Sequence, residues 1–163
     1  MARCLIVGCG CRGLGLVGEL RARGHQVRAT TRDPARVAEI EAAGAEAFIG
    51  DPERVATLGP ALAQAGVTCL LLGSARGSDR QLQALHGPRL AMLLERTIDT
   101  TVRGVVYEAT GTVDAEILRA GAALVRRACE RSSIGHVLLE ADPLDCAGWP
   151  IAAADAVERA LLG

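Results

Sequence analysis

The sequence predicts an α/β fold: one doubly wound parallel sheet of six strands, in the order 3-2-1-4-5-6, with helices on both faces. Three observations carry this expectation. Short apolar runs alternate with stretches of helical period along the whole chain. Several of the runs, such as "CLIV" and "VTCLLL", are apolar at consecutive positions, as strands covered on both faces are. Glycine and proline fall where the pattern changes. Right-handed crossovers then give the strand order.

Each element follows from its residues. Arg3 to Val7 is an apolar run ending at Gly8, a buried strand and a turn. Leu14, Leu16, Val17 and Leu20 recur at near-helical spacing within Gly13 to Arg23, and Gly24 ends that helix. Val27 to Thr31 is the second strand. Asp33 caps a second helix with Pro34 in its first position; it runs to about Ala43 and stops at Gly44. "AEAFIGD" is the third strand, turning at Gly50-Asp51-Pro52, and "PERVATLGPALAQAG" reads as helix broken at Gly59-Pro60. "VTCLLLGS" is the fourth strand. Residues 76 to 88 are polar and contain glycine, so a loop with one helical turn around "RQLQAL" is expected. A helix should start at Pro88 and run through "GPRLAMLLERTIDT". "VRGVVYEATG" is the fifth strand. A long amphipathic helix over residues 113 to 131 keeps Ile117, Leu118, Leu124, Val125 and Cys129 at near-helical spacing. "HVLLEAD" is the sixth strand, and "WPIAAADAVERALLG" closes as a helix with Pro150 in its first turn.

Composition sets the frame for function. The 163 residues fit one domain, residues 1–163, with no separate substrate domain. Half the residues are hydrophobic, and the net charge of −1 has no long block of one sign, which argues against nucleic acid or a membrane surface as partner. Phe48, Tyr107 and Trp149 are the whole aromatic set, too few for a base-stacking platform. All 18 basic side chains are arginine. A Schiff-base lysine, a Walker-A lysine and a lysine-assisted tyrosine are therefore excluded. The apolar run from Cys4 to Val7 is too short for the core of a secretory signal, and "VTCLLLG" is far short of a membrane span. A reduced, cytoplasmic protein is expected, with Cys4, Cys69 and Cys129 as small core residues. Cys9 and Cys11 form C-x-C, but no further Cys or His completes a ligand set, so no metal is expected.

The chemistry-bearing motif is G-x-G-x-x-G, formed by Gly8, Gly10 and Gly13 between the first strand and the first helix. Gly8 permits the tight turn. Gly10 lets a pyrophosphate approach the backbone near Cys11, Arg12 and Leu14. Gly13 lets helix and strand pack closely. The helix N-terminus then offers free N–H groups and its positive dipole end to phosphates. The bare alternative is a tight turn without a ligand. The tip of the second strand reads Thr30-Thr31-Arg32, where an NAD site ordinarily places an Asp or Glu for the ribose 2′-hydroxyl. A guanidinium at Arg32 pairs with a 2′-phosphate instead, with Thr31 adding a hydroxyl and Arg12 or Arg36 a second charge. The expected cofactor is NADP, with NAD as the alternative. By the rule that ligands lie outside the carboxyl ends of strands, Asp51 is a candidate for the adenine amine, and Gly73, Ser74 and Thr110 for the nicotinamide side.

With "LIVGCGCRGLG", "ATTRDPAR", "FIGD" and "GVVYEATG", the chain resembles the atypical or extended short-chain dehydrogenases, the NAD-dependent epimerase/dehydratase-like proteins. The first half also resembles the nucleotide domain of 6-phosphogluconate dehydrogenase-like enzymes through "GHQVRATTRD", but those need a large helical second domain. The first resemblance implies a Rossmann fold and a truncated relative that ends without the carboxyl-terminal substrate domain. It also implies a Ser or Thr after the fifth strand and Tyr-x-x-x-Lys on the next helix. Here the sole tyrosine, Tyr107, lies in the fifth strand, Gly111 stands four residues later, and no lysine exists to lower a tyrosine pKa. The expectation is a binding or regulatory protein. The alternatives are a small NADPH-dependent reductase or isomerase acting on a small-molecule substrate through Glu108 or His86, and a scaffold whose cofactor site has decayed. Cys11, beside Arg12 at a helix N-terminus, is a candidate redox thiol. The apolar surface of the helices at 88–99 and 113–131 suggests a homodimer.

Overall fold

The computed structural model describes residues 2–163. The order along the chain is β1 (Arg3–Val7), α1 (Cys11–Ala22), β2 (Gln26–Thr31), α2 (Val37–Ala42), β3 (Glu46–Ile49), β4 (Val67–Leu70), α3 (Asp79–Ala84), α4 (Leu90–Ile98), β5 (Gly104–Glu108), α5 (Ala115–Arg131), β6 (Gly135–Leu139) and α6 (Trp149–Leu161). The six strands form one sheet in the order β3-β2-β1-β4-β5-β6, and every pairing is parallel. This is the doubly wound arrangement the sequence predicts. The chain returns to the sheet centre between β3 and β4, so the crevice at the switch point opens between the carboxyl ends of β1 and β4.

Successive strand residues face opposite layers. In β1, Cys4 and Ile6 pack with Leu16, Val17 and Leu20 of α1 and with Ala153 and Val157 of α6. Leu5 and Val7 pack on the other side with Leu90 and Leu93 of α4 and with Val125 and Cys129 of α5. All of these are buried. The near-continuous apolar strands of the sequence are thus explained by a core on each side.

The helix boundaries follow local chemistry. Asp33 caps a short 3-10 turn, Pro34–Arg36, by accepting from the Ala35 N–H at 2.9 Å, and α2 continues from it. Asp114 caps α5 by accepting from Glu116 N–H at 2.8 Å. Gly24 and Gly44, just past α1 and α2, have φ of +89° and +103°.

Two expectations are corrected. Residues 55–62 form two 3-10 turns, Val55–Leu58 and Pro60–Leu62, rather than a broken α-helix. The segment is short, and Pro60 has no N–H to extend the first turn. Pro88 does not start a helix. The chain is helical from Asp79, where Ser78 and Gln81 make a reciprocal capping box, and passes through a π-helical turn at Leu85–Arg89 into α4. The wide turn accommodates a proline that a regular α-helix would not. The polar stretch expected as a loop is therefore mostly helix.

Candidate functional site

The glycine turn links β1 to α1 as the motif requires. Gly8 has φ +87°, and a Cβ there would lie 2.7 Å from the backbone carbonyl oxygen of Leu71. Gly10 is extended at φ −97° and is the N-cap of α1, with no side-chain cap and no acidic residue in the first turn. A Cβ at Gly10 would meet nothing within 4 Å. A Cβ at Gly13 would lie 2.9 Å from Cys9 Sγ. The first helical bond runs from Leu14 N–H to Gly10 O at 3.0 Å, so the N–H groups before Leu14 have no acceptor within the helix. An α-helix start with open N–H groups, no cap and clear space over a glycine suits an anion.

A cavity of about 500 Å³ lies over this turn, across the carboxyl ends of β1 to β4. Gly8, Gly10, Cys11, Arg12, Gly13, Thr31, Arg32, Asp51 and Ser74 all line it. Leu14, Gly73 and Thr110 do not. Leu14 packs against the α1 and α6 side of the core. The Gly73 N–H donates to Glu108 Oε1 at 2.8 Å, and Thr110 Oγ1 donates to the Ala141 carbonyl at 3.0 Å.

At the β2 end, Thr31 spends its hydroxyl locally. Its Oγ1 accepts from Asp33 N–H at 3.1 Å and donates to Asp33 O at 3.3 Å. The Arg32 side chain is 64% exposed and stands 3.5 Å from Glu53. Arg36 is tied down, donating from Nη1 to Cys9 O at 2.6 Å and from Nε to Glu39. Asp51 is half-buried and uses one carboxylate oxygen locally, its Oδ1 accepting from Glu53 N–H at 2.9 Å.

On the other side of the turn, Arg12 points away from the β2 tip. Its Nη2 donates to Glu108 Oε2 at 2.6 Å, its Nη1 reaches Ser74 Oγ at 3.4 Å, and its guanidinium carbon lies 5.3 Å from the Trp149 ring centroid. Glu108 is fully buried. Burial raises its carboxyl above the ordinary value, while Arg12 and the Gly73 N–H draw it back down.

Both candidate acid–base residues are interior. His86 is not in an open loop. It sits on the π-helical turn and is buried, its Nδ1 2.6 Å from Tyr107 Oη and its Nε2 3.0 Å from Leu72 O. Burial holds its pKa below the usual imidazole value, partly opposed by the Leu72 carbonyl. Neither His86 nor Glu108 lines the cavity. Tyr107 is also fully buried, and burial followed by the Glu108 charge raises its hydroxyl pKa. Cys11 is exposed at the turn, whereas Cys9 is buried and its thiol is pushed up to about 11 by burial. Sequence reasoning missed Glu53, Arg76 and Leu85 as cavity residues, and the Arg12–Glu108–Trp149 cluster.

Comparison with known proteins agrees with this geometry. A family model described as NAD(P)H-binding matches residues 9–139. A short-chain dehydrogenase/reductase superfamily protein from Agrobacterium tumefaciens with bound NAD superposes with a TM-score of 0.69 at 18% identity, covering 83% of this chain and 48% of that one. Triphenylmethane reductase from Citrobacter sp., complexed with NADP(H), gives a TM-score of 0.64 at 19% identity over 83% of this chain and 48% of that one. A candidate NAD-dependent epimerase/dehydratase from Bacillus halodurans gives 0.67 at 18% identity over 85% of this chain and 69% of that one. The chain thus spans about half the length of the first two. No curated protein matches its sequence. The open glycine turn at the switch point and the family match from Cys9 to Leu139 make this chain a member of the NAD(P)H-binding family, built on the fold of the short-chain dehydrogenases.

Proposed function

We propose that this protein holds an NADP-type dinucleotide, preferring NADP to NAD, and serves as a binding or regulatory protein rather than as an oxidoreductase of the Tyr–Lys type. The observation that carries this reading is the pairing of an uncapped α1 start with Arg32. That guanidinium is largely exposed at the tip of a strand that ends without a carboxylate. A 2′-phosphate at the ribose would take Arg32 from Glu53, because a doubly ionised phosphate is the stronger partner. The loss of Tyr–Lys chemistry is supported by the sequence: the one tyrosine lies inside β5 and lysine is absent. The six free thiols fit a cytoplasmic setting.

Two substitutions test the cofactor assignment by fluorescence titration. Arg32→Ala should weaken NADPH binding at least about tenfold and change NADH binding by less than about twofold. Glu53→Gln removes a carboxylate that competes with the phosphate, so NADPH should bind about two- to fivefold more tightly. Equal effects of Arg32→Ala on both nucleotides would refute the 2′-phosphate assignment.

The chain is further read as a homodimer through α4 and α5. Met92 and Ile98 of α4 are 41% and 42% exposed, and Ile117 and Leu124 of α5 are partly exposed on the same layer. Light scattering should return twice the chain mass; the mass of a single chain would refute this.

A further inference from the structure

The cavity covers only half of the switch-point crevice. It runs from the β2 and β3 tips, past the glycine turn, to Ser74, Ala75 and Arg76 after β4. No residue of β5, β6 or the loops that follow them lines it. A nicotinamide placed for chemistry belongs over those second-half strand ends.

Three features close that half. The loop after β5 lies directly on the loop after β4. The Val113 N–H donates to Gly73 O at 3.0 Å, and the Thr112 N–H donates to Ser74 Oγ at 3.3 Å. A Cβ on Gly73 would collide with the Thr110 carbonyl oxygen, and one on Gly111, at φ +150°, with the Gly73 carbonyl oxygen. These two backbones have no room between them. The same loop is tied to the end of β6, through Ala109 N–H to Leu139 O at 2.9 Å and Thr110 Oγ1 to Ala141 O. Beneath them the Arg12–Glu108 pair fills the floor, with Trp149 against the guanidinium. Drawing Arg12 out would strand a fully buried carboxylate, which is strongly unfavourable.

We infer that the site reads the adenosine half of its ligand, the 5′-diphosphate and the 2′-phosphate, and leaves the nicotinamide outside the β5–β6 half of the sheet. This rests on the NADP-binding reading above and narrows it. The ligand class is then 2′-phosphorylated adenosine 5′-diphosphates, with or without a nicotinamide. The first half of the fold supplies every contact: open helix N–H groups for the diphosphate and Arg32 for the 2′-phosphate. Such a site senses the amount of the nucleotide and is blind to its redox state, because oxidised and reduced forms differ only at the ring it does not hold.

The test is calorimetric titration of the full chain with NADPH, NADP+ and 2′-phosphoadenosine 5′-diphosphoribose. The inference expects all three to bind within about threefold of one another. It also expects the emission of bound NADPH to stay as accessible to a soluble quencher as that of the free nucleotide. Binding of NADPH more than about thirtyfold tighter than the nicotinamide-free compound, or a shielded nicotinamide, would overturn the inference and leave the NADP-binding reading standing. Failure of all three to bind would overturn that reading, and the inference with it.

Discussion

Gly8 and Gly10 stand two positions apart and are glycine for different reasons. Gly8 answers to the fold: its φ is positive and the Leu71 carbonyl occupies the space of a side chain. Gly10 carries no such constraint from the fold, since its backbone is one any residue adopts and nothing stands where its Cβ would be; under the proposed function it is glycine for the ligand. Gly8→Ala should therefore lower stability by about 2–4 kcal/mol, from left-handed strain and the backbone clash together. Gly10→Ala should change stability by less than about 1 kcal/mol while weakening dinucleotide binding at least about tenfold. Chemical denaturation and nucleotide titration of both variants check this. Two residues of one motif that failed in the same way would show that the turn serves the fold alone. The tight turn at Gly8 was legible in the sequence from the spacing of the motif. The partner of Arg12 was not. Arg12 reads as a spare cation for phosphate, yet it pairs with a glutamate 96 positions away, a contact no local pattern signals.

At the scale of elements, the instructive one is the helix that runs from Asp79 through Pro88 to Ile98. Proline is the usual sign of a helix start, so the sequence places the boundary nine residues late. A better signal was present in Ser78 and Gln81, whose spacing is that of a capping box. Nothing local announces a π-helical turn. That turn carries His86 inward, where it meets the Tyr107 hydroxyl and the Leu72 carbonyl and has no access to solvent. A Cβ at Gly121 of α5 would strike the same hydroxyl, so α5 closes the cluster from the far side. Burial keeps the imidazole neutral, and its pKa in the fold lies below the unfolded value near 6.5. The unfolded chain therefore binds the proton more readily, and this residue's contribution to stability is complete above that value and falls as the pH drops below it. The stability difference between the wild type and His86→Gln should shrink on going from about pH 7 to about pH 5, by up to about 1.4 kcal/mol for each pH unit below the unfolded value. Denaturant unfolding at several pH values measures it. A difference that stayed constant would show that the imidazole is free to protonate in the fold.

At the scale of the molecule, the strand order and the two cores were legible because parallel strands leave little choice. Short apolar runs need cover on both faces, and right-handed crossovers then set the order. What stayed hidden is the asymmetry of the finished site. The sequence offers residues for both halves of the crevice: Thr31, Arg32 and Asp51 on one side, Gly73, Ser74 and Thr110 on the other. The fold opens the first half as far as Ser74, which lines the cavity, and packs the rest of the second, since Gly73 and Thr110 are used to join loops rather than to line the cavity. Such closure depends on backbone contacts between segments distant in sequence. On the proposed reading the open half holds the nucleotide, while Tyr107, His86 and Glu108 are buried and do not line the cavity. The central claim, that this chain is an NADP-holding module, is met most directly by calorimetric titration of the full chain with NADPH and NADH side by side. The account predicts saturable binding of one nucleotide per chain, with NADPH at least about tenfold tighter than NADH; heat of dilution alone for both at about millimolar nucleotide would contradict it.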